Sequence, residues 1–189
     1  NGIIQKKNLK RKQKAIFLDR DGTINVDKSY VHRKEEFEFL PGVIDALKKL
    51  TTLGYKLIII TNQSGIARGY YSEEEYLELD KWLKSTLTDQ GIEIMDSLYC
   101  PHLPDAVISK YRVQCNCRKP GIALFQQVIE KYNVDVQNSI AIGDRLRDVE
   151  ICKSTPIEGY VLYQKIKKDA DNIHFLCNGI EDVIEYLKK

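Results

Sequence analysis

Ala15-Ile16-Phe17-Leu18-Asp19-Arg20-Asp21-Gly22-Thr23 carries four apolar residues into two carboxylates, one residue apart, and a glycine turn. A short apolar run bounded by a polar turn reads as a buried parallel strand, and open α/β sheets hold their ligands at the carboxyl ends of such strands. Side chains alternate in an extended stretch, so Asp19 and Asp21 can face one way and share a ligand while Arg20 points elsewhere. Two acids that close repel each other, and a hard cation such as Mg²⁺ would offset the repulsion with carboxylate, carbonyl and water oxygens. A strand ending in a solvated Asp-Gly turn accounts for this segment equally well on its own.

Working outward, Val43, Ile44, Leu47, Leu50 and Leu53 fall at helical spacing before Gly54, and Lys56 to Ile60 is a β-branched run entering the polar turn Thr61-Asn62-Gln63-Ser64-Gly65. Ser72 followed by Glu75 is a capping-box signal that opens a long helix through Leu77, Leu79, Trp82, Leu83 and Leu87. A strand over 92–99, an aperiodic stretch over 100–120, a helix over 122–132 and a strand over 139–142 follow. That last strand runs into Gly143-Asp144-Arg145-Leu146-Arg147-Asp148, then a helix to about 154, a strand over 159–162 and a closing helix over 180–188. Strands alternating with helices predict a Rossmann-like parallel sheet with helices on both faces.

The chain has 189 residues, 43% of them hydrophobic, which suits one domain with a proper core. A net charge of +2 gives no general reason to expect nucleic acid or an anionic membrane as partner. Lys6, Lys7, Lys10, Arg11, Lys12 and Lys14 crowd one end, so residues 1–14 read as a solvated basic tail and residues 15–189 as the domain. No apolar run approaches the roughly 18 residues of a membrane span, and no segment near the start resembles a signal peptide. A soluble, cytoplasmic, monomeric protein is the expectation.

Cys100-Pro101-His102, twelve further residues, then Cys115-Asn116-Cys117 offer four soft or borderline ligands in two close pairs. Three thiolates and one imidazole suit a closed, structural zinc site. Disulfides fit a cytosolic chain poorly, and incidental core cysteines are the plain alternative. Cys152 and Cys177 lie near apolar elements and read as buried small hydrophobes. The lone histidines His32 and His174 read as surface or satisfied core residues, and Tyr70 and Tyr71, beside Arg68, as either site-mouth or packing aromatics.

In a parallel sheet the ends of three strands bring together Asp19 and Asp21, the turn 61–64, and Asp144 with Asp148, and Arg118 and Lys119 start a helix. Acids for a metal, a hydroxyl with free amides, and cations for an anion make a phosphate site with a metal. No P-loop pattern is present, so water is the more natural phosphoryl acceptor than a kinase substrate.

These residues resemble the haloacid dehalogenase superfamily of aspartate-nucleophile phosphatases, whose four motifs occur here in order: Asp19-Arg20-Asp21-Gly22-Thr23, Thr61, Lys119, and Gly143-Asp144 with Asp148. The resemblance implies that Asp19 is the nucleophile and Asp21 the acid that protonates the leaving group and later activates water. It further implies that Asp19, the backbone carbonyl of Asp21, and Asp144 hold Mg²⁺, that Asp148 supports the metal shell, and that Thr61 and Lys119 steady the phosphoryl group. Within the superfamily, Asn25-Val26-Asp27, the run 61–69 and the Cys-His-Cys-Cys knot before Arg118-Lys119 are similar to the branch that removes the 7-phosphate of D-glycero-D-manno-heptose 1,7-bisphosphate, with the histidinol-phosphate phosphatases beside it.

By that resemblance Asp27, Lys28, Ser29, Tyr30, Thr61, Asn62, Gln63, Ser64, Arg118, Lys119 and Arg145 touch substrate, and Cys100, His102, Cys115 and Cys117 bind structural zinc. Lys28 and Ser29 depart from the branch's usual residues. The branch lacks a separate cap domain, and no insertion here is long enough to form one. A guanidinium at Arg118 suits the 1-phosphate that a heptose bisphosphate has and histidinol phosphate lacks. Histidinol phosphate is the second substrate reading. A zinc-braced nucleic-acid-binding module without catalysis is a distant third, since it leaves Asp19, Asp21 and Asp144 without a purpose.

Overall fold

The computed structural model describes residues 11–164 and 171–188. Six strands, all paired in parallel, form one sheet in the order β3-β2-β1-β4-β5-β6: β1 Ala15–Leu18, β2 Lys56–Asn62, β3 Ile94–Cys100, β4 Ile140–Gly143, β5 Glu158–Val161 and β6 Ile173–Phe175. This is the Rossmann order, in which the chain reverses direction of travel between β1 and β4 and opens a crevice at their carboxyl ends.

Strand alternation decides what packs where. Ile16 and Leu18 of β1, Leu57 and Ile59 of β2, and Ile140 and Ile142 of β4 face α1 (Val43–Thr52), α3 (Glu73–Asp89) and α5 (Glu181–Leu187). Ala15, Phe17, Ile58, Ile60 and Ala141 face the other way, onto α4 (Ala123–Tyr132) and the 3₁₀ helix Leu146–Lys153. The strands are therefore buried on both faces, which is why they read as continuous apolar runs. The Ser72–Glu75 capping box forms: Ser72 Oγ accepts from Glu75 N–H, and the Glu75 carboxylate accepts from Ser72 N–H.

Several elements depart from the expectations. The helix expected after β4 forms over Leu146–Lys153 as a 3₁₀ helix kinked at Val149, and Asp148 turns back to accept from the Arg145 N–H at 3.0 Å in its first turn. The polar turn after β2 rolls into a short helix, α2, Ser64–Ala67. β6 is only three residues long and pairs at the sheet edge, too short for alternation to show. Cys152 is buried as expected, whereas Cys177 is exposed, since it lies in the bend between β6 and α5 and not in either element. Of the basic tail, residues 1–10 lie outside the described residues, while Gln13 exchanges backbone hydrogen bonds with Asn133 and Asp135, and Lys14 O accepts from Lys56 N–H. Among the described residues no helix is long and apolar enough to cross a membrane.

No cap domain interrupts the fold among the described residues. The loop between β3 and α4 packs against α2: Ile108 N–H donates to Ala67 O at 3.1 Å and, within the loop, Leu103 N–H donates to Tyr111 O at 3.1 Å. At its base Glu73, the first residue of α3, accepts from the hydroxyls of Tyr99 and Tyr111, each at 2.7 Å, and from Lys110 Nζ at 3.4 Å. Those donors hold the Glu73 carboxyl below its ordinary range, the Tyr111 hydroxyl contributing most.

Candidate active site

The crevice at the ends of β1, β2 and β4 is a cavity of about 400 Å³ lined by Asp19, Asp21, Asp27, Thr61, Asn62, Lys119, Asp144, Arg145, Arg147 and Asp148. Asp19 is held at the end of β1 by its own N–H, which donates to Ile142 O of β4 at 3.0 Å. Its carboxylate lies beside those of Asp144 and Asp148, with one oxygen of each within 4.8 Å of the others. Room for Asp144 exists because position 22 is glycine: a Cβ there would meet Asp144 Oδ2 at 2.6 Å, and its φ of +81° is the left-handed region that glycine tolerates.

Lys119 is the counter-charge. Its side chain is 2% exposed, and Nζ lies 2.8 Å from Asp19 Oδ1, 2.7 Å from Asp148 Oδ1 and 2.6 Å from Ile60 O. Burial disfavours the ammonium, yet Asp19 and Asp148 outweigh it and raise the lysine's pKa, so it stays charged. The acids are not fully neutralised: burial, then Asp148, push the Asp19 carboxyl up to about 8 against the pull of Lys119. Burial and Asp148 raise Asp144 as well. A cluster of oxygen donors with excess negative charge, partly shielded from water, fits a hard divalent cation.

Asp21 departs from the simple alternation argument. Its carboxylate is not part of that cluster; Oδ1 accepts from Arg20 Nη2 at 2.9 Å and Asn25 Nδ2 at 3.0 Å, and Oδ2 from Gln63 Nε2 at 3.2 Å. Arg20 does not point away to solvent. It is 1% exposed, donates also to Val31 O at 2.7 Å and stacks against the Tyr76 ring, because a buried guanidinium needs partners. Gln63 is the hub of this side: its amide also donates to Thr61 Oγ1 at 2.9 Å and its carbonyl accepts from Tyr71 OH at 2.6 Å. Three donors thereby fix one Asp21 orientation at the cavity wall, and Thr61 and Tyr71 hold Gln63, the third of them, in place.

Asn62 has a more specific position than its turn suggested. Its side chain accepts from Lys119 N–H at 2.9 Å and donates to Lys119 O at 3.0 Å, clamping the Lys119 backbone to the end of β2. A second lobe of about 320 Å³ adjoins the first and is lined by Ser29, Tyr30, Gln63, Ser64, Arg68, Tyr71 and Arg118, sharing Asp21, Asp27, Asn62 and Arg147 with it. Of the expected substrate residues, Arg145 is at the first lobe, where Nε lies 3.3 Å from Asp144 Oδ2. Lys28 is at neither; its ammonium pairs with Glu38 at 2.7 Å across the β-bridge-like contact of 26 with 38. Arg68 and Arg147 line the site without being among the expected substrate residues; the sequence signal for them is that Arg68 lies inside the run 61–69 and Arg147 directly precedes Asp148. Tyr71 is buried in the second lobe, and exposed Tyr70 packs edge-on to Tyr30 with ring centroids 4.8 Å apart.

Directly before Arg118, the ligand atoms of Cys100, His102, Cys115 and Cys117 also gather within 4.8 Å of one another. Cys117 Sγ is 3.1 Å and Cys115 Sγ 3.6 Å from Cys100 Sγ, and His102 Nδ1 is 3.3 Å from Cys117 Sγ. These separations are close to the edges of a tetrahedron around one metal ion with bonds of about 2.0–2.3 Å.

A family profile described as "Polynucleotide kinase 3 phosphatase" matches residues 14–175. A D-glycero-beta-D-manno-heptose-1,7-bisphosphate 7-phosphatase of Haemophilus influenzae is 45% identical over 180 residues, covering 93% of this chain and 97% of that protein. A D-glycero-alpha-D-manno-heptose-1,7-bisphosphate 7-phosphatase of Photorhabdus laumondii is 46% identical over 138 residues, 73% of this chain and 75% of that protein. Among solved structures, the D,D-heptose 1,7-bisphosphate phosphatase of B. bronchiseptica complexed with magnesium and phosphate superposes with a TM-score of 0.78 at 27% identity, covering 93% of this chain and 98% of that one. With the strand order, the acid cluster and these relatives in agreement, the chain belongs to the heptose-1,7-bisphosphate 7-phosphatase family of haloacid dehalogenase-like phosphatases.

Proposed function

We propose that this protein hydrolyses the 7-phosphate of D-glycero-D-manno-heptose 1,7-bisphosphate to give heptose 1-phosphate, in the synthesis of nucleotide-activated heptose. The observation that carries the reading is the Asp19–Lys119–Asp148 arrangement beside Asp144, in a cavity of about 400 Å³ that shares four lining residues with a second lobe holding Arg68 and Arg118. Histidinol phosphate, with a single phosphate, gives the second lobe's cations nothing to bind.

Asp19, Asp144 and the backbone carbonyl of Asp21 would hold Mg²⁺; Asp148 is engaged by Lys119 and the Arg145 N–H and supports the cluster from behind. Bound there, the cation supplies charge stabilisation to the transferring phosphoryl oxygens and orients Asp19. Asp19 attacks phosphorus, forming an aspartyl phosphate, while Asp21 gives a proton to the departing sugar oxygen. Asp21 then takes a proton from water, which attacks the aspartyl phosphate and releases inorganic phosphate. Lys119 and Thr61 stabilise the oxygens that carry developing charge. The fixed Asp21 orientation given by Arg20, Asn25 and Gln63 suits a group that must meet first the leaving oxygen and then the attacking water in each cycle.

Structural zinc is our reading of the Cys100, His102, Cys115 and Cys117 cluster, because three thiolates and one imidazole leave no position for substrate. Thiolate ligands also suit the reducing cytoplasm, where we place the enzyme.

Replacement of Asp19 by Asn keeps the shape and removes the nucleophile. Phosphate release from heptose 1,7-bisphosphate should fall by about three orders of magnitude or more. Release by D19N at the wild-type rate refutes the mechanism, and a clear preference for histidinol phosphate in parallel assays refutes the substrate.

A further inference from the structure

We propose that the Tyr71 hydroxyl is a positioning group for the reaction: acting through Gln63, it fixes the direction in which the Asp21 carboxyl is presented to the cavity. The inference rests on the reading of Asp21 as the group that protonates the leaving oxygen, and it gives Tyr71 a purpose other than packing.

The Gln63 amide can lie two ways in its slot, because its oxygen and nitrogen ends are nearly equal in size and only their partners differ. In the observed orientation Nε2 spends one hydrogen on Asp21 Oδ2 at 3.2 Å and the other on Thr61 Oγ1 at 2.9 Å, while Oε1 accepts from Tyr71 OH at 2.6 Å. Turned over, the amide would set Oε1 against a carboxylate oxygen, acceptor facing acceptor. Asp21 would then lose its donor at Oδ2, although Arg20 and Asn25 would still hold Oδ1. Water is a poor substitute at this point, since Gln63 is 2% and Tyr71 5% exposed. The orientation that serves Asp21 therefore depends on a donor at the far end of the amide, and Tyr71 supplies it.

The tyrosine is built to stay in place. Burial raises the hydroxyl's pKa well above that of an ordinary phenol, so it keeps its proton and remains a donor. Its ring stacks on His32, with centroids 4.8 Å apart and planes 7° from parallel, and His32 Nδ1 is in turn bonded to Tyr30 O at 2.8 Å. Room for the ring comes from position 65: a Cβ added at Gly65 would collide with it and lie 2.8 Å from the hydroxyl oxygen. Phenylalanine would satisfy the stacking and fill the space equally well. What the hydroxyl adds is the bond to Gln63, and through it a two-bond link to Asp21.

Steady-state kinetics with the full chain on heptose 1,7-bisphosphate, comparing wild type, Y71F, Q63L and the double variant, tests the assignment. Y71F should lower kcat about tenfold with KM within about threefold, the mark of a group that acts once substrate is bound. Q63L should lose at least as much kcat, and adding Y71F to it should cost less than about twofold more, since Tyr71 acts through the amide that Q63L removes. The double variant buries no orphaned amide oxygen, so its comparison with Q63L stays readable if Y71F alone does not fold. Wild-type kcat in Y71F, losses that multiply in the double variant, or a loss carried by KM overturns the positioning role and leaves the phosphatase reading intact. A wild-type protein that does not hydrolyse the bisphosphate overturns the proposed function, and this inference with it.

Discussion

Lys119 Nζ sits 2.8 Å from Asp19 Oδ1, joining residues one hundred positions apart in a pocket where the lysine is 2% exposed. Its removal therefore strands Asp19 against Asp148. Breaking a buried pair from one side typically costs about 3–5 kcal/mol. K119M is expected to lose that much stability in metal-free buffer, to recover part of it with Mg²⁺, and to lose phosphatase activity on the order of 10²-fold or more. Denaturant unfolding with and without Mg²⁺ checks this, and wild-type stability for metal-free K119M contradicts it.

A pH dependence follows from the Asp19 carboxyl, raised from 3.8 to about 8 by burial and by Asp148. The folded state holds this proton more tightly than the unfolded chain, so the associated stability is fully present below 3.8 and is lost as pH rises through about 8. A cation that needs ionised Asp19 competes with the proton. Mg²⁺ affinity should then climb with pH, by up to about tenfold per unit, and level off above the Asp19 pKa. Calorimetric titration of Mg²⁺ at pH 7 in buffers of different ionisation enthalpy should show protons released on binding; none released excludes the coupling.

Asn62 positions Lys119 through the backbone, so N62A should leave a buried N–H and C=O of Lys119 unmatched. A stability loss of about 1–3 kcal/mol is expected, with a fall in kcat larger than the change in KM. N62D keeps the acceptor for the Lys119 N–H and should recover part of both. Equal kcat in N62A and wild type rules out the positioning role.

Zinc in the Cys-His cluster is open to direct removal. A strong chelator, or C115S, should lower the melting temperature and reduce activity on sugar phosphates, because Arg118 and Lys119 follow Cys117 without a spacer. Added Zn²⁺ should restore the chelated protein but not C115S. A chelated protein with unaltered melting and activity means the cluster holds no structural metal.

The legible parts of this fold are those that local chemistry dictates. β1 and β2 are announced by apolar runs buried on both faces, and α3 by the Ser72–Glu75 box, whose reciprocal bonds form as written. The acid cluster was readable because strand ends converge in a parallel sheet, whatever the loops do. Illegible were the pairings that depend on chain folding between distant segments. Asn62 meets Lys119 across 57 positions, and Gln63 binds Asp21 across 42, in a turn that advertises only polarity. Arg20 alternates away from its neighbours in the strand argument, but its Nη2 curls back onto Asp21 and Val31 O, an ion pair and a backbone contact that alternation cannot announce. Cys177 was misread because an apolar neighbour such as Leu176 says little about a bend.

Glu73 ties α3, β3 and the loop between β3 and α4 together through Tyr99, Tyr111 and Lys110. A loop moored at its root by three donors on one carboxylate works as masonry rather than as a door. The stretch from Tyr99 to Tyr111 is thereby built into the first turn of α3 as a single piece, so Glu73→Gln should loosen both ends of it together, read as a common rise in their amide hydrogen exchange.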